Sequence, residues 1–272
     1  MNPVPDTVVD PLATYFEEWR AAGRRALIPY VTAGYPTPAL TRPLLAALVR
    51  AGADVIELGV PFSDPVADGP TIQRSSQVAL EQGVTLRWVL EVLRDFRHHF
   101  STPVVIFTYL NPMLRGGAEA FIADAVEAGA QGVLVTDLPV GADPELEEQL
   151  EASPLAHVRL VAPTTPPARA AMIASRAQGF LYYISRTGVT GATQDLRGDL
   201  SAEVVALRAV SPVPVAVGFG ISSPRQAAEV AKVADGVVVG SALINALDRG
   251  AIEEASRFLA SLRAAIDESG AG

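Results

Sequence analysis

The chain contains no cysteine, a single lysine (Lys232) and three histidines (His98, His99 and His157) among 272 residues. Without cysteine there is no disulfide, no thiolate nucleophile and no cysteine-held zinc. The formal net charge is −9, so there is no basic surplus to hold nucleic acid or an anionic membrane. Long apolar spans are missing too. Mean hydropathy is +0.28, but uncharged runs such as Ala209–Pro224 are broken by Pro and Gly and do not resemble a membrane-spanning helix. The first residues, MNPVPDTVVD, carry acids and prolines where a secretory signal has a basic end and an apolar stretch. A cytoplasmic protein is the expectation.

The same scarcities narrow the chemistry. A Schiff-base aldolase needs a lysine inside its site, and Lys232 falls near the end of a helical segment. A metal-dependent aldolase needs clustered histidines. His98 and His99 are adjacent, and neighbours in sequence do not share a helical face. His157 stands alone at the start of an apolar run, which leaves a Ser-His-Asp hydrolase without its base. Carboxylates remain as acid/base groups, and no bound metal is expected.

Eight short apolar runs alternate with helical segments. The runs are Leu27–Thr32, Val55–Gly59, Val104–Thr108, Gly132–Thr136, Val158–Ala162, Phe180–Ile184, Val213–Gly218 and Gly236–Val239. Runs that are apolar throughout are the mark of parallel strands covered on both faces. Helices are expected at Pro38–Ala51, Leu86–Phe100, Glu119–Ala128, Asp143–Glu151, Pro167–Arg176, Ala202–Val210, Pro224–Val233 and Ile252–Ile266, with one more at Pro11–Ala22 before the first run. The segments VRAGADVIEL, EAGAQGVLV and KVADGVVVG repeat one form, a helix end, then Gly or Ala, then a strand. The expected fold is a single (β/α)8 barrel over 25–267, preceded by an extension and helix over 1–24. An open doubly wound sheet is the runner-up, but no GxGxxG joins the first strand to its helix.

Barrel active sites lie at the C-terminal ends of the strands, and the second run has the most unusual end. In VIELGVPFSDPVADGPTIQ, Val55 to Gln73, Glu57 sits inside an apolar strand, and Asp64 and Asp68 follow in a Pro- and Gly-rich loop. A carboxylate on a buried strand is costly unless something compensates. Desolvation raises its pKa and suits it to give and take a proton near neutrality. The last strand ends suggest a phosphate site. Gly240-Ser241 before ALINAL reads as the start of a short helix whose free N–H groups favour an anion. Gly218, Gly220 and Gly191 allow close backbone approach. The loop SRTGVTGA, Ser185–Ala192, has the composition of a lid that excludes water.

These segments, together with ALIPYVTAGYP, TYLNPML, GVLVTDLP, APTTP, YYISRTGVTGA, VGFGIS and GVVVGSALI, resemble the tryptophan synthase alpha subunit family over nearly the whole chain. The resemblance implies cleavage of indole-3-glycerol phosphate to indole and glyceraldehyde 3-phosphate. It assigns Glu57 as the acid/base and Asp68 as the group that binds the indole N–H and stabilises the cationic intermediate. Tyr182 falls at a hydroxyl near the substrate and Thr190 at a lid residue. Gly191, Gly220, Gly240 and Ser241 fall at phosphate binders, and Tyr30, Phe107, Leu134 and Phe219 at the indole pocket. Tyr30 stands where some relatives carry Phe. The resemblance further implies an α2β2 assembly that passes indole to a beta subunit, with Pro61 and Asp64 towards that partner. Pyridoxal phosphate is expected in the beta subunit alone and no cofactor here. The alternatives are a stand-alone lyase, a phosphosugar isomerase or epimerase, and a non-catalytic subunit that only activates a partner.

Overall fold

The structure is a computed structural model and describes residues 10–185, 198–218 and 220–270. Its strands are β1 (Ala26–Thr32), β2 (Ile56–Gly59), β3 (Val104–Thr108), β4 (Gly132–Val135), β5 (Ala156–His157), β6 (Arg159–Val161), β7 (Leu181–Ile184), β8 (Val215–Gly218) and β9 (Gly236–Val239). All pair in parallel, in the order β5-β4-β3-β2-β1-β9-β8-β7-β6. The two outermost strands of that order are consecutive pieces of one run, separated only by Val158. The Val158 N–H donates to the Val133 carbonyl at 2.9 Å. One stretch of chain therefore pairs with β4 through its first half and with β7 through its second, and the sheet closes into a (β/α)8 barrel. The eight expected runs and the nine strands are the same elements, the fifth starting two residues earlier than expected.

Side chains alternate across each strand, and this sorts the core. Ile28, Val55, Val105, Leu134, Phe180, Ala216 and Val238 fill the barrel interior, while Leu27, Leu58, Ile106, Val133 and Val237 pack outward against the helices. Leu12 at the entry to α1 (Ala13–Ala21) and Phe16 within it belong to the interior cluster, so this helix plugs one end of the barrel. Asp10 fixes it there, accepting from the N–H groups of Leu12, Ala13 and Gly179. At the N-terminal ends of the strands Asp54 takes the Leu27 N–H and pairs with Arg24 and Arg263. Asp235 takes the Val215 N–H and pairs with Arg208. These pairs brace the end opposite the expected site.

The helices are α2 (Pro38–Arg50), α3 (Pro70–Glu81), α4 (Leu86–Arg97), α5 (Leu110–Leu114), α6 (Ala118–Glu127), α7 (Pro144–Glu151), α8 (Pro167–Ser175), α9 (Gly198–Val210), α10 (Pro224–Ala231) and α11 (Ser241–Gly270). α11 is interrupted at Gly250 and Ala251, where Ala251 has φ 52°. Its first part is the expected short helix after the last strand and its second the expected terminal helix. Helix α3 is absent from the sequence reading, which treats 61–73 as loop. The loop ends at Gly69, and Pro70 opens the helix at its first position, where a missing N–H costs nothing. Among the described residues no helix is long and apolar enough to cross a membrane.

Candidate active site

A cavity of about 350 Å³ opens at the C-terminal ends of the strands. Register builds its floor. Tyr30 on β1 pairs with Glu57 on β2, and Gly59 pairs with Phe107 on β3. By the two-residue period these side chains point into the barrel, one layer above Ile28, Val55 and Val105. Tyr182 on β7 and Val238 on β9 complete the layer.

Glu57 is almost fully buried, at 1% exposure. Among the described residues neither of its carboxylate oxygens has a hydrogen-bond partner. Burial alone pushes its pKa up to about 8. An unpaired buried carboxyl is stable only as the neutral acid, so Glu57 carries a proton at neutral pH. Asp68 faces the same cavity from the loop before α3. Burial raises its pKa to about 6, while the Tyr109 hydroxyl, donating to Oδ2 at 2.9 Å, pulls it back down. The same hydroxyl accepts from the Ala67 N–H at 3.1 Å, so Tyr109 fixes the loop and orients the carboxylate together. The two carboxyls thus differ in protonation at pH 7, one an acid and the other an anion.

The opposite wall suits an anion. Gly240 precedes α11, and the carbonyl of Gly240 already accepts from Leu243 and Ile244. The N–H groups of Ser241 and Ala242, in the first turn, have no acceptor within the helix and lie at its positive end. Gly220, Ser222 and Asn245 line this end of the cavity as well. Gly220 has φ +81°, a conformation that glycine adopts without strain. Aromatic and aliphatic walls between the two ends, among them Phe107, Leu160, Ile184 and Ile72, fit a flat apolar ring.

A family model described as the tryptophan synthase alpha chain matches residues 16–269. The chain belongs to the tryptophan synthase alpha chain family. It is 50% identical over 260 residues to the tryptophan synthase alpha chain of Xanthomonas axonopodis pv. citri, covering 93% of this chain and 97% of that one. It is 49% identical over 250 residues to that of Chromobacterium violaceum, covering 90% and 95%. Among solved structures it is similar to tryptophan synthase subunit alpha from Legionella pneumophila, with a TM-score of 0.88, 38% identity and coverage of 96% and 99%. Membership in the tryptophan synthase alpha chain family makes this chain a lyase of tryptophan biosynthesis.

Of the residues singled out in the sequence, Glu57, Asp68, Tyr30, Phe107, Tyr182, Gly220, Gly240 and Ser241 all line the cavity. Leu134 is fully buried in the interior layer beneath and does not reach the cavity lining. Thr190, Gly191 and Phe219, and the expected lid from residue 186 onward, lie outside the described residues. Pro61 is buried and Asp64 exposed on the loop that leads to Asp68. Sequence reading passes over Tyr109, Thr136, Ser222 and Asn245. Tyr109 follows Phe107 by two residues and Asn245 follows Ser241 by four, so strand and helix periods place them beside residues already singled out. Their sequence positions alone carry no chemical signal.

Proposed function

We propose that Glu57 and Asp68 perform the reaction of the family, the cleavage of indole-3-glycerol phosphate into indole and glyceraldehyde 3-phosphate. The observation that carries this reading is the buried Glu57 carboxyl, unpartnered among the described residues and raised to about 8. The leaving carbon is C3 of the indole ring, which must gain a proton as the carbon–carbon bond breaks. Neutral Glu57 gives its proton to C3, leaving a cation delocalised to the ring nitrogen. The Asp68 carboxylate accepts the ring N–H and stabilises that charge, held for the task by Tyr109. Glu57, now ionised in an apolar setting, takes the proton of the adjacent glycerol hydroxyl. The C–C bond electrons return to the ring as the carbonyl of the aldehyde forms, and Glu57 ends protonated as it began.

The phosphate is held by the start of α11 with Gly220, Gly240 and Ser241, and the indole by Tyr30, Phe107 and their neighbours. Leu134 supports that pocket from beneath. Thr190, Gly191 and Phe219 are assigned to the lid, the phosphate site and the indole pocket on the resemblance alone. Burial and the nearby Glu57 and Asp68 charges push the Tyr182 pKa well above the usual value, so its hydroxyl stays a neutral donor beside the substrate.

The partner proposed is a beta subunit in an α2β2 assembly, with pyridoxal phosphate confined to that subunit and the complex in the cytoplasm. Supporting this, Val66 is 78% exposed on the loop carrying Pro61 and Asp64, and Leu114 at the end of α5 is 42% exposed after the neighbouring strand. Apolar side chains left in water beside a site mouth suit a covered face. The test is release of indole from indole-3-glycerol phosphate, measured with and without a beta subunit. Turnover that rises with the beta subunit is expected. No indole release in either case overturns the activity, and a high rate indifferent to the beta subunit favours the stand-alone lyase.

A further inference from the structure

We propose that Arg74 and Asp248, with Tyr35 between them, are positioning residues that hold the two walls of the cavity at a fixed separation. The ligand this separation suits carries an aromatic ring at one end and a phosphate at the other. The inference rests on the reading of the site given above.

The two walls are the starts of two helices. Pro70, Thr71 and Ile72 of α3 stand on the Asp68 side, and Ser241, Ala242 and Asn245 of α11 on the anion side. Two residues beyond Ile72 is Arg74, and three beyond Asn245 is Asp248. Arg74 donates from Nη2 to Asp248 Oδ2 at 2.5 Å and from Nη1 to Oδ1 at 3.5 Å. Nη1 also donates to the Tyr35 hydroxyl at 2.6 Å, and that hydroxyl donates to Asp248 Oδ1. The guanidinium carbon lies 5.6 Å from the centre of the Tyr35 ring.

The three residues come from three segments, the β1–α2 connection, α3 and α11, and among the described residues their side-chain hydrogen bonds join the last two outside the cavity. Tyr35 is buried, at 4% exposure, so the bridge is anchored to the core even though Arg74 and Asp248 are partly in water. An isolated exposed ion pair contributes little. A two-pronged Arg–carboxylate contact with a fixed third member has defined geometry, and geometry is what a ligand touching both walls would sense.

A role in stability alone would weaken every ligand alike. A positioning role weakens only a ligand that touches both walls. The experiment measures binding by calorimetry to the full-length chain with two probes, glycerol 3-phosphate and an unreactive indole joined to phosphate by a three-carbon chain. Arg74→Ala and Asp248→Ala are each expected to weaken the indole-bearing probe about three- to fivefold and to leave glycerol 3-phosphate unchanged. The exchange R74D/D248R is expected to recover most of the lost affinity. Equal loss for both probes, no loss for either, or an exchange no better than the single variants overturns the proposal. A parent chain that binds the indole-bearing probe no better than glycerol 3-phosphate overturns the reading of the site itself, and the bridge with it.

Discussion

Tyr30 lies across Gly59 on the neighbouring strand, so close that a β-carbon on Gly59 would fall 2.3 Å from its hydroxyl and 2.6 Å from Cζ. The ring is held from behind by Phe107, centroids 5.0 Å apart, and its hydroxyl meets the Thr32 Oγ1 at 3.3 Å. Both rings line the cavity, and a Gly59 β-carbon would press against the Tyr30 ring. Gly59→Ala should therefore push the Tyr30 ring towards the substrate, costing about 1–3 kcal/mol of stability and raising KM. Urea midpoints and steady-state kinetics check both, and unchanged KM would mean that the ring does not border the bound substrate.

Glu57→Gln should reduce indole release by about 10²–10⁴-fold while the variant still binds glycerol 3-phosphate, because the amide keeps the shape and loses the proton transfer. Asp68→Asn should also be impaired, through loss of the charge that stabilises the cation. Normal cleavage by either variant removes that residue from the mechanism.

The pH dependence of kcat/KM should be bell-shaped. Activity requires Glu57 protonated and Asp68 ionised, so it should fall above about 8 and below about 6. Removing the Tyr109 hydroxyl takes away the hydrogen bond that lowers the Asp68 pKa. Tyr109→Phe should thus move the acid limb to higher pH and leave the alkaline limb in place. An acid limb that stays put would assign it to another group.

Stability should respond to pH in opposite ways through two buried groups. Glu57 has a folded pKa of about 8 against an ordinary 4.5, so the unfolded chain ionises first. Its contribution is fully present below about pH 4.5 and is lost as pH rises towards 8. His157 is lowered to about 3 from 6.5, by burial first and then by the charges of Arg159 and Arg176. The unfolded chain takes up that proton first, and stability is lost as pH falls from 6.5 towards 3. Melting temperatures across pH should show Glu57→Gln removing the loss of stability that sets in between about pH 4.5 and 8, and His157→Gln the loss that sets in as pH falls from 6.5 towards 3. Parallel curves for parent and variants would contradict the assignments.

Much was legible in the sequence because each feature is local. Apolar runs of strand length at regular spacing mark the barrel strands, since a strand covered on both faces must be apolar throughout. Glu57 stands out because a carboxylate has no place in such a run, and Gly240-Ser241 because a helix start after a strand needs no distant partner to bind an anion. Helix α3 was hidden by the density of Pro, Gly and Asp before it, which reads as continued loop although Pro70 is a helix-opening residue.

The alternation of strands and helices, the strand-end positions of the chemistry-bearing residues and the family follow from the order of residues alone. Tertiary structure decided the rest. Register set Tyr30 beside Glu57 and over Gly59, and closure through Val158 brought β7 and its Tyr182 round to face them. Folding placed the Tyr109 hydroxyl on Asp68, 41 positions away, and Arg74 on Asp248, 174 positions away. The reason is physical: a pKa depends on which groups exclude water and which donate hydrogen bonds, and those neighbours exist only once distant segments have packed.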